Sequence, residues 1–196
     1  NGGINVGEYD VVLRLRNPNN YKWENTEDEV TTVVFEITQA TTEITNLTIN
    51  NWTYNEKANE PASNTNFGTV VYTYSTEENG EYIETVPTQA GTYYVKASVI
   101  GNENYTSTSI TTTFTIEKKT IEVDLGSYVS NLTKVYDANT TVKFASNTSK
   151  AVTVSGVNGE TLNITITGTY NNKNVGTGKA ITLSGNFTGV TGGNAK

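Results

Sequence analysis

The stretch GTYYVKASV, residues 91–99, places apolar side chains at every second position. Period two is typical of a β-strand that buries one face and exposes the other. Polar Lys96 and Ser98 fall on the opposite face, and Gly91 suits a turn or bulge at the start of the strand. The sequence therefore predicts a half-buried strand whose inward residues are Tyr93, Val95, Ala97 and Val99.

The same pattern occurs earlier in the chain. GEYDV at residues 7–11 matches GTYYV at residues 91–95, and Asn20-Tyr21 matches Asn104-Tyr105, both at an offset of 84 residues. VFEI at residues 34–37 matches TFTI at residues 113–116 at an offset of 79, which predicts a five-residue insertion in the first copy. We assign the insertion to the acidic stretch from Glu24 to Glu29. The repeat predicts a strand, a turn and a closing strand in each copy, with Tyr9, Val11, Leu13, Leu15 and Val33 facing inward in the first.

Short strands separated by turns fill the rest of the chain. Glu77-Glu78-Asn79-Gly80 has the chemistry of a hairpin turn. This spacing predicts an all-β protein of tandem Ig-like β-sandwich repeats arranged as an extended rod. A β-grasp arrangement of each unit is the alternative; it differs by one helix, for which we find no segment. The further predicted strands are Val70–Tyr74, Ile121–Leu125, Val142–Phe144, Val152–Val154, Leu162–Ile166 and Ile181–Leu183.

The closing strands predict the domain boundaries. We expect a partial unit at residues 1–39, a complete unit at residues 40–118 and a third at residues 119–196, with no flexible linker between them. About forty residues are too few to fold alone without a disulfide or metal. We therefore expect the natural chain to continue upstream, or a neighbour to cover Val11, Leu13, Phe35 and Ile37. The last five residues, 192–196, resemble a turn that leads into a further strand.

Composition excludes several classes of function. The chain has no Cys and no His, so disulfides, thiolate metal sites and histidine bases are excluded. A net charge of −7 disfavours nucleic acid and anionic membranes as partners. No apolar stretch approaches the length of a transmembrane helix. We expect no enzyme activity, no cofactor and no metal.

Few side chains are candidates for a site. The acidic residues Glu24, Glu27, Asp28 and Glu29 could hold Ca²⁺, but they lack the ligand ladder of an EF-hand, and a solvated loop is favoured. Trp23 follows a polar turn and is the candidate for binding a host glycan or protein, whereas Trp52 is expected to pack in a core. An intramolecular isopeptide crosslink would need a Lys, an Asn and an acid buried together. Lys143, beside Phe144, is the type of strand lysine that could serve.

Two families of repeats resemble this chain. The segment from Trp52 through PTQAGTYYVKASVIGNENY to FTIEKK resembles the MBG-type repeats of bacterial surface proteins, and residues 1–40 resemble the end of another. LTKVYDANTTV at residues 132–142 and GTYNNKNVGTGKAITLSG at residues 168–185 resemble the YDG-type repeat. Ala138 stands where that family has its glycine, so we expect an altered turn after Tyr136-Asp137.

The resemblance implies a large, repetitive protein secreted by or attached to bacterial cells, often called an adhesin. We expect these repeats to be structural spacers of a stalk at the cell surface, in contact with neighbouring repeats. The alternative is a binding module that takes host glycan or protein through exposed aromatic residues. The resemblance supplies no catalytic residue.

Overall fold

The computed structural model describes residues 3–24 and 30–192, and its regular structure is β. Those residues form eleven strands in four sheets, and they contain one 3-10 turn and no α-helix. The chain divides into two compact units, Asn1–Lys118 and Lys119–Lys196. No helix within the described ranges is long and apolar enough to cross a membrane. The strands are β1 Gly7–Arg14, β2 Val30–Ile37, β3 Ile44–Thr48, β4 Trp52–Thr53, β5 Ala62–Thr65, β6 Val71–Ser75, β7 Gly91–Val99, β8 Thr108–Glu117, β9 Lys150–Ser155, β10 Glu160–Tyr170 and β11 Ile181–Gly192.

The first unit begins with the two-stranded antiparallel sheet β1–β2. Gly7 pairs with Ile37, and Tyr9 pairs with Phe35. The described residues leave its apolar face uncovered: Val11 is 44% exposed and Phe35 is 54% exposed. Within the described residues, no strand packs extensively against the β1–β2 sheet. The residues predicted to face inward that are exposed or only half-buried are Tyr9, Val11, Leu13, Leu15 and Val33.

The remainder of the first unit has a closed core. Its four-stranded sheet has the order β4-β8-β7-β6, and β3 pairs with β5 in a separate two-stranded sheet. Val95 is 0% exposed and Phe114 is 2% exposed, so the period-two pattern of β7 is buried as predicted. Trp52 stacks on Phe114 with ring centroids 4.9 Å apart. Each large side chain buried in this way contributes about 1.5–3 kcal/mol of transfer free energy.

The predicted hairpin turn after β6 forms. The Gly80 amide donates to the Glu77 carbonyl at 3.2 Å, and Tyr74 and Ile83 exchange two backbone hydrogen bonds of 2.7 and 2.9 Å. The chain therefore reverses at Glu77–Gly80 as the Asn-Gly pair predicts.

The second unit contains one antiparallel sheet of order β11-β10-β9. Val142, Phe144, Ile166 and Tyr170 form its core. A Cβ at Gly168 would come within 3.0 Å of the Val142 side chain, so glycine allows the segment around Val142 to lie against β10. The Val142 amide donates to the Gly168 carbonyl at 2.9 Å.

Two predicted strands of the second unit are wrong. Ile121–Leu125 is not a strand: the Asp124 carboxylate accepts a 2.9 Å hydrogen bond from the Gly126 amide and starts a 3-10 turn. Val142–Phe144 has the predicted alternating burial, but it makes only isolated bridges, because the chain turns at Ala145, which has a φ of 55°. The predicted strands at Val152–Val154, Leu162–Ile166 and Ile181–Leu183 lie within β9, β10 and β11.

Candidate functional site

Lys134 is the centre of a polar cluster in the second unit. Its side chain is 13% exposed, and its ammonium group is surrounded by oxygen atoms. Asp137 Oδ1 lies 2.6 Å from Nζ, the carbonyl and side-chain oxygens of Asn139 both lie at 2.9 Å, and the Thr141 carbonyl lies at 3.1 Å. An ammonium has three N–H donors, so these acceptors saturate it. Lys134 therefore fastens the turn that follows it.

In the turn after Lys134, side-chain oxygen atoms accept hydrogen bonds from backbone amides. The Asn139 amide donates to Asp137 Oδ1 at 3.2 Å, and the Thr141 amide donates to Asn139 Oδ1 at 3.0 Å. Ala138 has a φ of 62°, in the left-handed region that favours glycine. Alanine adopts this conformation here at a cost of about 1–2 kcal/mol. The altered turn stays a prediction.

Asp137 is ionised in this cluster. The hydrogen bond from Lys134 lowers the pKa of Asp137 below its usual value, and the hydrogen bond from the Asn139 amide lowers it further. The carboxylate of this ion pair is exposed to solvent, so the pair orients the turn more than it stabilises the unit.

A second lysine is held in the same manner on the loop between β10 and β11. Lys179 Nζ donates to Asn172 Oδ1 and, at 2.8 Å, to the Asn174 carbonyl. The Asn174 amide donates to Asn172 Oδ1 at 3.0 Å, and the Asn171 amide closes the loop on the Ala180 carbonyl at 3.0 Å. The amide oxygen of Asn172 thus accepts from two donors and fixes the lysine.

These two segments form the walls of a cleft of about 450 Å³. Tyr170 lines it, is 9% exposed and has its ring centroid 5.9 Å from Lys134 Nζ. Tyr136 and Val175 lie at its edge and are 57% and 86% exposed. We call this space the lysine cleft. Its polar lining includes Lys134, Tyr136, Asn139, Tyr170, Asn172, Lys173 and Lys179.

The side chains that line the lysine cleft determine which groups it can contact. Its described lining residues supply ammonium, amide, phenol and threonine hydroxyl groups and no carboxylate. Such groups donate hydrogen bonds to anions and hydroxyls and offer a ring for apolar contact.

The residues predicted as candidates lie elsewhere. Trp23 is half-buried, and its Nε1 is buried without a hydrogen-bond partner in the described part of the chain. Its role in binding stays a prediction. Glu24 is exposed, whereas Glu27, Asp28 and Glu29 lie outside the described residues. Trp52 packs in the core of the first unit, as expected.

The predicted crosslink needs a lysine close to an asparagine and an acid, and in the structure Lys134 has such neighbours. Lys143 lines a second cleft together with Asp137 and Lys134, and Lys134 contacts both Asn139 and Asp137. That crosslink needs a buried acid, but the Asp137 side chain is 34% exposed and its pKa is lowered. Lys134 therefore forms an ion pair with Asp137 and a hydrogen bond to the Asn139 side chain, and Asp137 is not the buried acid that a crosslink needs.

Sequence reasoning did not single out Lys134, Asn139, Asn172 or Lys179, although all four lie in the segments that resemble a YDG-type repeat. Asp137-x-Asn139, in a chain rich in Asn, was the available signal for a side-chain-supported turn. Lysines that bind turn carbonyls leave no characteristic spacing.

The fold and the cleft together define an all-β protein with a polar, lysine-lined cleft in its second unit. A YDG domain is found at residues 116–196. The match includes every residue that lines the lysine cleft. No curated protein and no solved structure matches the chain.

Proposed function

We propose that the chain is part of the stalk of a bacterial cell-surface or secreted protein of the adhesin type. In this proposal, MBG-type repeats precede the YDG domain, each repeat is an Ig-like sandwich, and the repeats form an extended rod. The YDG domain at residues 116–196 supports it, because this segment carries the motifs that resemble the repeats of such proteins.

The observation that carries the proposal is the equivalence of two hairpins in the first unit. Gly7 pairs with Ile37 as Gly91 pairs with Ile116. Tyr9 pairs with Phe35, and Tyr93 pairs with Phe114, in the same register.

A side-chain bond is common to both hairpins as well. The Tyr9 hydroxyl donates to the Asn5 carbonyl at 2.8 Å, and the Tyr93 hydroxyl donates to the Gln89 carbonyl at 3.0 Å. In both cases the acceptor is four residues before the tyrosine. Repetition of register and bond supports tandem repeats.

The junction between the two copies is held by several hydrogen bonds, as a stiff spacer requires. Asn104 Oδ1 accepts from the Val6 amide at 2.7 Å, and its Nδ2 donates to Asn5 Oδ1 at 3.0 Å. The Asn104 carbonyl accepts from the Ala40 amide at 2.9 Å. Gln39 Nε2 also donates to the Asn102 carbonyl at 3.1 Å. The turn at Asn102–Asn104 in the second copy therefore forms hydrogen bonds to the residues just before β1 and just after β2.

Small-angle X-ray scattering of the full chain tests the rod. Three stacked units, each about 28–33 Å long, give a rod of roughly 100 Å and a radius of gyration of about 30 Å. A compact globule of this length has a radius of gyration of about 16 Å. A measured value near the globular one would sink the proposal.

The stiffness of the junction is tested by Asn104→Ala, which removes both side-chain bonds. We expect the Val6 amide to exchange its hydrogen at least tenfold faster and the scattering curve to indicate a more flexible chain. Asn20→Ala is the matched control, because Asn20 occupies the equivalent turn of the first copy and is exposed. If the two substitutions had equal effects, the hydrogen bonds of Asn104 would no longer support a stiff junction.

A further inference from the structure

We propose that the lysine cleft binds an acidic glycan, a saccharide that carries a carboxylate on a sugar ring. This inference does not rest on the stalk proposal, since a spacer repeat needs no ligand. It rests on the donors left free in the cleft, on its local charge and on its exposed ring.

The free donors are those of the β10–β11 loop. Lys134 is saturated by its own turn, so it positions the wall and offers no N–H. Lys179 has two acceptors in the described structure, the Asn172 side chain and the Asn174 carbonyl, and three donors. One N–H of Lys179 therefore remains for a ligand. Lys173 lines the same cleft and is exposed.

Local charge selects an anion. The whole chain carries −7, yet the lining of the cleft contains three lysines, and Asp137 compensates only one of them. A concave surface concentrates the field of the charges that line it. A carboxylate that accepts from Lys179 would also gain a charge-assisted hydrogen bond.

The remaining lining fits a sugar better than a peptide side chain. Tyr136 presents a ring that is 57% exposed at the edge of the cleft, and the apolar face of a pyranose can lie on such a ring. One N–H of the Asn172 amide donates to Asn171 Oδ1 at 3.4 Å, and the other can donate to a sugar hydroxyl. Gly176 and Gly178 have no atom within 4 Å of an added Cβ, so a ligand can approach the backbone of the loop.

The fixed positions of these groups reduce the cost of binding. Asn172 holds Lys179, and Lys134 holds the Tyr136 turn, so few rotamers are lost when a ligand enters. We expect weak binding of a single oligosaccharide, in the range of 0.1–1 mM that about −4 to −5.5 kcal/mol provides.

Calorimetry and NMR titration of the full 196-residue chain test the inference. The probe is a hyaluronan hexasaccharide, which carries a carboxylate on every second sugar; the neutral control is chitohexaose, and the peptide control is hexaglutamate. We expect hyaluronan to bind at least tenfold more tightly than either control, with NMR shifts at the Tyr136 turn and the 172–179 loop. No binding at 5 mM, or equal binding of any control, would overturn the inference.

Two substitutions in the cleft and one control locate the site. Lys179→Gln should weaken hyaluronan binding at least fivefold, and Tyr136→Ala at least threefold, each with an unchanged circular dichroism spectrum. Lys57→Gln is the matched control, because Lys57 is an exposed lysine of the first unit, and it should have no effect. An equal loss with Lys57→Gln would indicate general charge attraction and overturn the assignment to the cleft.

Discussion

Hairpins β1–β2 and β7–β8 have the same register and the same tyrosine bond, but only one of them is buried. Val95 and Phe114 are 0% and 2% exposed, whereas Val11 and Phe35, at the corresponding positions, are 44% and 54% exposed. The local sequence therefore determines strand pairing in both copies. It does not determine whether the apolar face becomes a core.

The difference comes from the segments that precede β7 in the chain. Trp52 stacks on Phe114, and Tyr74 meets the same ring edge-on with centroids 6.0 Å apart. Ile44 packs with Ala97 and Val99 on the neighbouring part of β7. Because an isolated two-stranded sheet is marginal in water, these covering residues, more than the hairpin sequence, supply the stability of β7–β8.

The largest expected effect is the contrast between Phe114→Ala and Phe35→Ala. Removing the buried ring of Phe114 should cost about 3–5 kcal/mol, because it leaves a cavity between Trp52 and Tyr93. Removing the exposed ring of Phe35 should cost less than about 0.5 kcal/mol. Urea unfolding followed by tryptophan fluorescence measures both, since Trp23 and Trp52 lie in the first unit. Similar costs for the two substitutions would show that β1–β2 is covered in solution.

The second largest expected difference is in the hydrogen-exchange rates of β1 and β7 in the unsubstituted chain. The amides of β7 exchange through opening of a closed core, whereas those of β1 need only the hairpin to open. We expect β1 amides to exchange at least a hundredfold faster, which corresponds to about 2.8 kcal/mol. Comparable protection in mass-spectrometric peptides from the two strands would contradict the comparison.

Alkaline pH should affect the covered hairpin through Tyr74. Burial raises the pKa of Tyr74, and the charge of Glu60 raises it further. Above pH 10 the unfolded phenol loses its proton while the folded one keeps it, so the free energy of unfolding falls as the pH rises through the folded pKa. The loss of stability between pH 8 and pH 10.5 should be smaller in Tyr74→Phe than in the parent.

Tyr21→Phe is the control for this pH effect, because Tyr21 is 68% exposed. It should leave the pH dependence of the urea midpoint unchanged. If Tyr74→Phe behaves like Tyr21→Phe, burial of the phenol has no part in alkaline unfolding.

Much of the strand pattern was predictable because alternation of apolar residues is local. The hairpin equivalence followed from GEYDV and GTYYV, and β9, β10 and β11 followed from valine, isoleucine and leucine at every second position. Burial in the first hairpin was not predictable in the same way, because it depends on residues that another segment must supply. Alternation at Ile121 to Leu125 was misleading because Asp124 forms a local bond to Gly126, and this bond competes with strand pairing.

The lysine cleft was less accessible to sequence reasoning. Its walls depend on lysine bonds to carbonyl and amide oxygens, and such bonds impose no periodicity. Tyr136 and Lys179 are separated by more than forty residues and line one cleft only because β10 returns the chain to the Lys134 turn. Resemblance to a YDG-type repeat indicated the right segments but assigned no role to these side chains.

The smallest expected effects concern the feature that the two hairpins have in common. Tyr93→Phe and Tyr9→Phe each keep the ring and remove the hydroxyl bond to the carbonyl four residues earlier. Because both bonds are exposed, each loss should be about 0.5–1 kcal/mol. For Tyr93 the measurement is urea unfolding, and for Tyr9 it is hydrogen exchange of the β1 amides, which should accelerate about two- to fivefold. If only Tyr93→Phe has an effect, the tyrosine hydroxyl bond stabilises a hairpin only where a closed core covers it. The two hairpins would then be equivalent in strand pairing but not in the contribution of this bond.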